Sequence, residues 1–528
     1  MTKERKFEAG FNIKSTNKEL SRRKFIHLSS LAMGGGVMAG ALGSIPSRAP
    51  ASEGITRGGR LILWTPQTIQ TLDPHAFGIF NNRNAWPSLY NSLVWYDADM
   101  NPLPDLAKSW EVSPDGRTYT FELHKGVLFH NGREMTADDV KFSIKRILDP
   151  KTPAGNYAAS IKVIEEVKVV DKHTVKLQLS KSSAVLIPGL ARVMIVAKEN
   201  VEEIASKAIG TGPYKLKEYI VDDRVVLDRF DDYWEGVPYM DGVTIQTRAD
   251  VASLFNDLTT GAVDIYWQLE PKFVGQLVRY DTLEASFAKA SGVVTYLMVD
   301  QMAEPFQDIR ARQALLHACD KETMNQLAFY GTGVIPKGNN IFPRGHAFEN
   351  PNLAEIPYDL DKAKKLFEAA GVSELRYVAL SIVPWTIVCG EVLERSLNEI
   401  GVKLTIENPE LSGWLAAFDP RVAPNTIVPN AQLPDSDPEL VLSMTDNEVN
   451  PWGFDNDEVE RLRVEGAAEL NLEKRKEIYW RIQEIWHNEA VVPMICHDRW
   501  FHGKNRRVQN MFHINSGDID YRWAWLKA

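Results

Sequence analysis

The pattern of the sequence changes near residue 306, and no flexible linker marks the change. Before this point the chain reads as short alternating strands and tight turns, and after it amphipathic helices alternate with strands. Two domains on a flexible tether would show a Pro-, Gly- or polar-rich segment between them. Its absence indicates two lobes that share crossover strands, which is a hinge arrangement. With 528 residues, 44% of them apolar, the chain can bury a large α/β core.

The first 51 residues carry the features of an export signal. Arg22 and Arg23 precede a weakly apolar, glycine-rich run at residues 26–45, and the tripeptide Ala49–Ala51 has the small-x-small pattern of a signal-peptidase site. Paired arginines before such a run are typical of twin-arginine export. The glycines make the run a poor transmembrane helix. We therefore expect a cleaved signal peptide, a periplasmic mature chain from about Ser52, and no stable membrane anchor.

Charge and cysteine content exclude several classes of partner. The chain has a formal net charge of −10, and its first 51 residues hold nine basic and three acidic side chains, so the remainder is more acidic still. This balance argues against nucleic acid and anionic membrane surfaces as partners. Cys319, Cys389 and Cys496 are too few and too widely spaced for a zinc site or a disulfide framework. Buried free thiols are expected, and one oxidised pair is the alternative.

The sequence contains no complete phosphate-loop, zinc-protease or nucleophile-elbow motif. The glycine-rich segment 210–213 ends in a proline that removes a backbone donor, so we expect a turn that enters a strand. His497 and His502 lack the spacing of a metal pair and are expected at the surface. The acidic pair 138–139 suits a helix N-terminus, and the pair 231–232 suits a solvated loop. We therefore predict a protein that is not an enzyme and that needs no cofactor or metal.

Six motifs then occur in the order and spacing of one known family. They are TLDPH (71–75), the block from NPLPDLAKSW to KFSIKR (101–146), GTGPYKL (210–216), RFDDYWEG (229–236), DIRARQALLHACDK (308–321) and YDLDKAKKLFEAAG (358–371). They resemble the large extracytoplasmic solute-binding proteins of ABC importers, which include the dipeptide- and oligopeptide-binding proteins. The resemblance covers essentially the whole chain after the signal.

This resemblance implies a fold and a domain layout. The fold would be α/β, a bilobal periplasmic-binding-protein clamp with two crossover strands as hinge and an extra subdomain in the first lobe. The hinge strands would lie near Tyr296–Asp300 and Val491–Ile495. The implied domains are a signal peptide at 1–51, lobe I at 52–300 with a subdomain at about 85–205, lobe II at 301–490, and a C-terminal return to lobe I at 491–528.

The resemblance also implies a function. The protein would be a monomeric periplasmic receptor that captures a peptide or peptide-like solute between its lobes and delivers it to an inner-membrane ABC permease with its ATPase. A non-peptide solute, such as an opine, a sugar conjugate or a metal chelate, is the alternative, and a hydrolase is a weaker one.

Candidate ligand contacts follow from the same resemblance. In peptide-binding members an aspartate pairs with the ligand's amino group, which is a strong charge-assisted bond in a closed cleft. Asp435 is the nearest candidate here, although it sits one position late, and capping a turn is its alternative role. The segment 381–390 lacks the arginine that takes the carboxylate in the dipeptide branch and offers Trp385 instead. The further candidates are Tyr266, Trp267 and Asn430.

Overall fold

The computed structural model describes residues 54–66, 68–76, 83–154, 156–248, 250–287, 293–301, 303–381, 383–417, 426–432, 454–514 and 518–528. Arg22, Arg23, Ala49, Ala51 and Asp435 lie outside the described residues. Within these ranges no helix is both long enough and apolar enough to span a bilayer.

A seven-stranded sheet forms the core of the first lobe. Its central strand, β1 (Arg60–Thr65), pairs in parallel with a neighbour on each side, and antiparallel strands extend both edges. One strand near an edge, β18, comes from the C-terminal segment, so the end of the chain completes a sheet that residue 60 begins. In spatial order the strands are β12 (Leu283–Ser286), β18 (Phe501–Asn505), β11 (Ile265–Leu269), β1 (Arg60–Thr65), β10 (Gly242–Thr247), β9 (Arg224–Arg229) and β8 (Tyr214–Ile220).

A separate four-stranded antiparallel sheet forms the extra subdomain of this lobe. Its two hairpins are those that the sequence predicts, with turns at the Ser-Pro-Asp-Gly segment and after Asp171. In spatial order its strands are β4 (Ala107–Val112), β5 (Thr118–Leu123), β7 (Thr174–Leu179) and β6 (Ile164–Asp171). The small two-stranded pairs are β2 (Val94–Tyr96) with β3 (Pro102–Pro104), β19 (Val508–Gln509) with β22 (Trp525–Leu526), and β20 (Phe512–His513) with β21 (Ile519–Asp520).

A five-stranded mixed sheet forms the second lobe. Residues alternate between its two faces: Leu297 and Ile427 belong to one apolar cluster, and Tyr296 and Val428 belong to the other. We call these the Leu297 face and the Tyr296 face. In spatial order the strands are β15 (Lys403–Glu407), β14 (Glu374–Val378), β16 (Thr426–Gln432), β13 (Val293–Val299) and β17 (Met494–Asp498).

Helices pack around these sheets, and they dominate the second lobe as the sequence predicts. In chain order they are α1 (Trp86–Leu89), α2 (Ala137–Leu148), α3 (Asn156–Ile161), α4 (Leu186–Leu190), α5 (Val251–Thr260), α6 (Pro271–Leu277), α7 (Ile309–Ala318), α8 (Lys321–Ala328), α9 (Leu360–Ala369), α10 (Pro384–Glu399), α11 (Leu411–Ala416), α12 (Asp457–Ala468) and α13 (Leu472–Asn488).

Local chemistry explains several element boundaries. The carboxylate of Asp139 accepts the backbone N–H of Thr136 at 2.9 Å and so satisfies an unpaired donor at the start of α2. The turn before β8 needs glycine for a different reason. A Cβ on Gly210 would lie 1.9 Å from a backbone carbonyl oxygen of α1. The sequence-based expectations of a helix start and of a turn into a strand are therefore both confirmed.

The expectation for two histidines was wrong. His497 and His502 are 2% and 0% exposed instead of lying at the surface. They sit on β17 and β18, where the chain runs between the two large sheets, and that burial depends on long-range packing. Cys319, Cys389 and Cys496 are free and buried. In the part of the chain that the structure describes, no group of three or more metal-ligating side chains occurs.

Candidate ligand-binding cleft

The chain passes between the seven-stranded and five-stranded sheets at two places. In the first crossing β12 is followed by β13, and in the second β17 is followed by β18 with residues 499–500 between them. Val293 lies opposite Asp498, and Ser286 lies opposite His502, so the two crossings run side by side. These paired strands form the hinge between the lobes.

Aromatic rings from distant parts of the chain pack against the first-lobe side of the hinge. The Trp267 ring meets Trp500 edge-on, with centroids 5.8 Å apart, and stacks on His502 at 6.1 Å. His502 in turn stacks on His513 at 4.8 Å. Gln268 has a left-handed φ of 58°, and its backbone N–H donates to Nδ1 of His502 at 3.2 Å. A left-handed non-glycine residue costs energy, so surrounding contacts hold the end of β11 in this shape.

Tyr266 and Trp267 point to opposite faces of the first-lobe sheet. Each is 0% exposed. Tyr266 packs edge-on against Trp64 at 6.5 Å, and its buried hydroxyl makes no hydrogen bond within the described residues. Burial raises the pKa of Tyr266 above its usual range. In this conformation neither side chain presents surface to a solute, and their role as ligand contacts stays a prediction.

Asn430 and Trp385 lie on different sides of the second-lobe sheet. Asn430 is opposite Tyr296 in the register of β13 and β16, and its Nδ2 lies 3.1 Å from Sδ of Met298. Trp385 is at the start of α10, half-buried against the cluster on the Leu297 face, with its ring 5.6 Å from Phe329. Asn430 is thus one strand from the hinge strand β13, whereas Trp385 packs behind the sheet. Asp435 follows β16 and lies outside the described residues.

The lobes also meet at a distance from the hinge. The N–H of Ala184 donates to the carbonyl of Ala467 at 2.7 Å, which joins the subdomain to the end of α12. A cavity of about 250 Å³ lies beside this contact, lined by Pro188 from the first lobe and by Phe348 and Arg475 from the second. The Arg475 guanidinium is buried over the ring of Phe348 at 4.9 Å. The space between the lobes is therefore bounded by the hinge at one side and by this contact at the other.

Two arginines near the hinge were not among the sequence-based candidates. Arg499 is half-buried, with its guanidinium carbon 5.3 Å above the ring of Phe287. Burial, and then the like charge of Arg344, lower its pKa. Within the described chain neither arginine forms an ion pair. The neighbouring Asp498 does not pair with it, since Oδ1 of that carboxyl has no hydrogen-bond partner among the described residues, and burial raises the pKa of the group to about 7. No motif or spacing marks Arg499, which follows Asp498 in the strand-like run 491–502, so the sequence carried no signal that could have identified it.

One serine–histidine contact resembles a nucleophile and its base. The Ser286 hydroxyl is hydrogen-bonded to Nε2 of His513. The imidazole is 8% exposed, its Nδ1 has no partner among the described residues, and burial lowers its pKa well below the usual value. A hydrolytic pair needs a third group that orients the base. No such group contacts Nδ1 of His513 in the part of the chain that the structure describes, and the bond joins β12 to β20.

Comparison with known proteins agrees with this geometry. The family model described as bacterial extracellular solute-binding proteins, family 5, middle, matches residues 101–447. The chain is 28% identical over 466 residues to heme-binding protein A of Haemophilus influenzae. The alignment spans 80% of this chain and 84% of that protein. It is 26% identical over 485 residues to the dipeptide-binding protein of Escherichia coli, with coverage of 80% and 89%.

A solved structure has the same fold. The periplasmic binding protein DppA of Helicobacter pylori, in complex with the peptide STSA, superposes with a TM-score of 0.77 at 22% identity, over 90% of this chain and 99% of that one. The family model covers well over half of the chain, and the two lobes, paired crossings and interlobe space are those of a clamp. The chain belongs to the bacterial extracellular solute-binding proteins of family 5.

Proposed function

We propose that the protein is a periplasmic receptor that captures a peptide or peptide-like solute between its lobes and delivers it to an inner-membrane ABC permease with its ATPase. The observation that carries this proposal is the pair of adjacent crossings between the two large sheets. Two lobes that are joined along one edge open and close about that edge, and a solute between them favours the closed form. Delivery then requires a membrane partner that recognises the closed pair of lobes.

A peptide is the favoured cargo. Several relatives are named for dipeptides or for di- and tripeptides, and one solved relative holds a peptide. A non-peptide cargo is the second candidate. The relative named for heme and the absence of an arginine from the sequence segment 381–390 both favour it. An opine, a sugar conjugate or a metal chelate would be such a cargo.

The proposed contacts are Asn430, which lies beside the hinge strand β13, and Asp435, which follows β16 in the sequence, with Trp385, Tyr266 and Trp267 as proposed stacking surfaces. Because Tyr266 and Trp267 are 0% exposed, a solute reaches them after the lobes part and the rings beside them move. Asn430 needs a smaller change, since its side chain is already partly exposed.

Export by the twin-arginine route is part of the same proposal. Arg22 and Arg23 before the weakly apolar run, and the Ala49–Ala51 site after it, support a cleaved signal and a periplasmic mature protein.

The test of this function is whether the protein binds peptides without cleaving them. The mature protein, freed of cargo by unfolding and refolding, is mixed with a tryptic digest of casein. We expect a rise in melting temperature through linkage and a smaller radius of gyration in solution scattering as the lobes close. The captured peptides should be recovered intact. Recovery of shortened peptides would favour the hydrolase, and capture of a non-peptide solute from periplasmic extract alone would favour the second candidate.

A further inference from the structure

Two arginines elsewhere in the molecule, Arg146 and Arg376, are partly buried and form ion pairs with carboxylates. Arg146 holds Asp73 with two bonds of 2.9 and 2.6 Å. Arg376 is 37% exposed and holds Glu407 with bonds of 2.6 and 2.8 Å. Such bidentate pairs compensate the loss of hydration. A half-buried arginine with no carboxylate in reach among the described residues differs from these two pairs, and it shares that arrangement with Arg475, whose guanidinium lies over the Phe348 ring.

Arg499, at the hinge, is a half-buried arginine of this kind. Its guanidinium rests on the Phe287 ring, which follows β12 at the other crossing, so it lies where both crossings meet. Within the described residues it has no ion pair and no side-chain hydrogen bond. An aromatic ring covers one face of the planar group and leaves its N–H edge free, which is the edge that grips a carboxylate or a phosphate.

Among the described residues, the charge that acts on Arg499 has the same sign. Arg344, an exposed residue of the loop between α8 and α9, acts on it electrostatically and also acts on His497. The next residue, Gly345, lines the cavity between the lobes. Two cations held near each other without an anion repel, and an anionic group placed between them removes this cost.

We infer that Arg499, with Arg344 beside it, binds an anionic oxygen group of the solute at the hinge. This inference rests on the proposed function and narrows it to solutes that carry a carboxylate or a phosphate. It places the anion contact on the crossing itself, and not on the segment 381–390. An anion at this position contacts the short link between the sheets, so binding there couples directly to closure of the lobes.

The first test concerns the cargo-free protein. Arg499→Gln removes the charge and leaves a shorter polar side chain with N–H donors, and Arg376→Gln is the matched variant that breaks a known pair. We expect Arg376→Gln to lower the melting temperature, because Glu407 loses its partner. Arg499→Gln should leave the melting temperature unchanged or raise it, because repulsion from Arg344 is relieved. A fall as large as that of Arg376→Gln would mean a structural role and would overturn the inference.

The second test identifies the anion. Wild type, Arg499→Gln, Arg344→Gln and the control Arg310→Gln, an exposed second-lobe arginine paired with Asp308, are isolated from periplasm under native conditions. Mass spectrometry of the released cargo should find a carboxylate- or phosphate-bearing molecule. Occupancy should fall about tenfold or more in Arg499→Gln and less in Arg344→Gln, and stay unchanged in Arg310→Gln, since a charge-assisted bond is worth about that factor. A neutral or cationic cargo, or undiminished occupancy in Arg499→Gln, overturns the inference.

The third test separates this inference from the peptide proposal. Cargo-free protein is heated with the casein digest and with the same digest after methyl esterification of its carboxylates. A thermal shift that esterification abolishes supports both ideas, and one that survives esterification contradicts the anion site alone. If neither digest acts while the native cargo is an anionic non-peptide, the peptide proposal fails and the anion site stands. An empty native protein with no response to either digest counts against both.

Discussion

At the residue scale, Asp435 and Arg499 are the candidate partners for the two oppositely charged ends of a peptide. A zwitterionic peptide needs a partner for its amino group and another for its carboxylate. Asp435 follows β16 and Arg499 follows β17, and both strands pair with β13. The two charges therefore belong to segments that leave neighbouring positions of one sheet.

We predict that Asp435→Asn weakens binding of a free peptide by about 2–5 kcal/mol, because it removes one partner of an enclosed charge pair. That is roughly 30-fold or more. Calorimetric titration compares a peptide with its N-acetylated form. Wild type should discriminate strongly between them and the variant should not. Asp437→Asn, in the same segment, is the matched control and should behave as wild type. Equal affinities of the two peptides for wild type would contradict the anchor.

Buried neutral histidines make the protein sensitive to acid. Burial lowers the pKa of His75 to about 4, of His130 to about 4 and of His497 to about 3. The unfolded chain takes up these protons near pH 6.5 and the folded chain does not, so stability falls as the pH drops from about 6.5 towards 4. Asp498 acts in the opposite direction, because its pKa is raised to about 7 and the folded state binds that proton first.

Three histidines outweigh one aspartate, so we predict a melting temperature that decreases from pH 7 to pH 5. Linkage gives about 2 kcal/mol at pH 5 for each histidine whose pKa falls to about 4. His130→Gln should reduce this dependence by about one proton, whatever it does to stability at pH 7. The measurement is the free energy of unfolding between pH 4.5 and 7.5. A flat profile in wild type would show that these imidazoles are hydrated or charged in the folded protein.

At the scale of elements, the start of α2 offers a matched pair of adjacent carboxylates. Asp139 is buried and is held by Arg133 at 2.9 and 2.7 Å and by the Thr136 N–H at 2.9 Å. Asp138 is exposed. We predict that Asp139→Asn costs about 2 kcal/mol, since charge-assisted bonds are lost and Arg133 is partly solvated. Asp138→Asn should cost a few tenths through the helix dipole. Denaturant unfolding distinguishes them, and equal costs would contradict the assigned contacts.

Elements that depend on neighbouring residues could be predicted from the sequence. In the hairpins of the subdomain, apolar and polar residues alternate clearly and the turns contain Asp, Gly and Pro. The residue that caps α2 comes immediately before the helix in the sequence. The burial of His497 and His502 could not be predicted in this way, because it depends on β17 and β18 meeting strands from much earlier in the chain. The left-handed Gln268 likewise follows from packing that no local pattern encodes.

The expected ligand contacts stay predictions, and the structure gives their places in the fold. The segment that holds Trp267 does end at the hinge side of the first-lobe sheet, and Asn430 does lie beside the hinge strand. Which side chains are covered is a property of three-dimensional packing, so the 0% exposure of Tyr266 and Trp267 could not be foreseen. The lone Arg499 was missed because a single charge in a strand-like run has no spacing to recognise.

For the whole molecule, export is the first requirement of the proposed function. We predict that replacing Arg22 and Arg23 together by lysine leaves uncleaved precursor in the cytoplasm, because the paired guanidinium groups are the recognised feature of the signal. Fractionation and immunoblotting follow the mature form. The control replaces Lys3 and Lys6, which keeps the paired arginines and should export normally. Mature periplasmic protein from the paired-lysine variant would exclude the twin-arginine route.

The position of β18 determines when, during synthesis, the first-lobe sheet can be completed. The strand lies between β12 and β11, so until the ribosome has released residues 501–505 those two strands face each other across an empty slot. A nascent chain that stalls earlier carries two open sheet edges, which invite pairing with other chains. The sheet of the first lobe can therefore be completed only after residues 501–505 have been synthesised and β18 has inserted between β12 and β11.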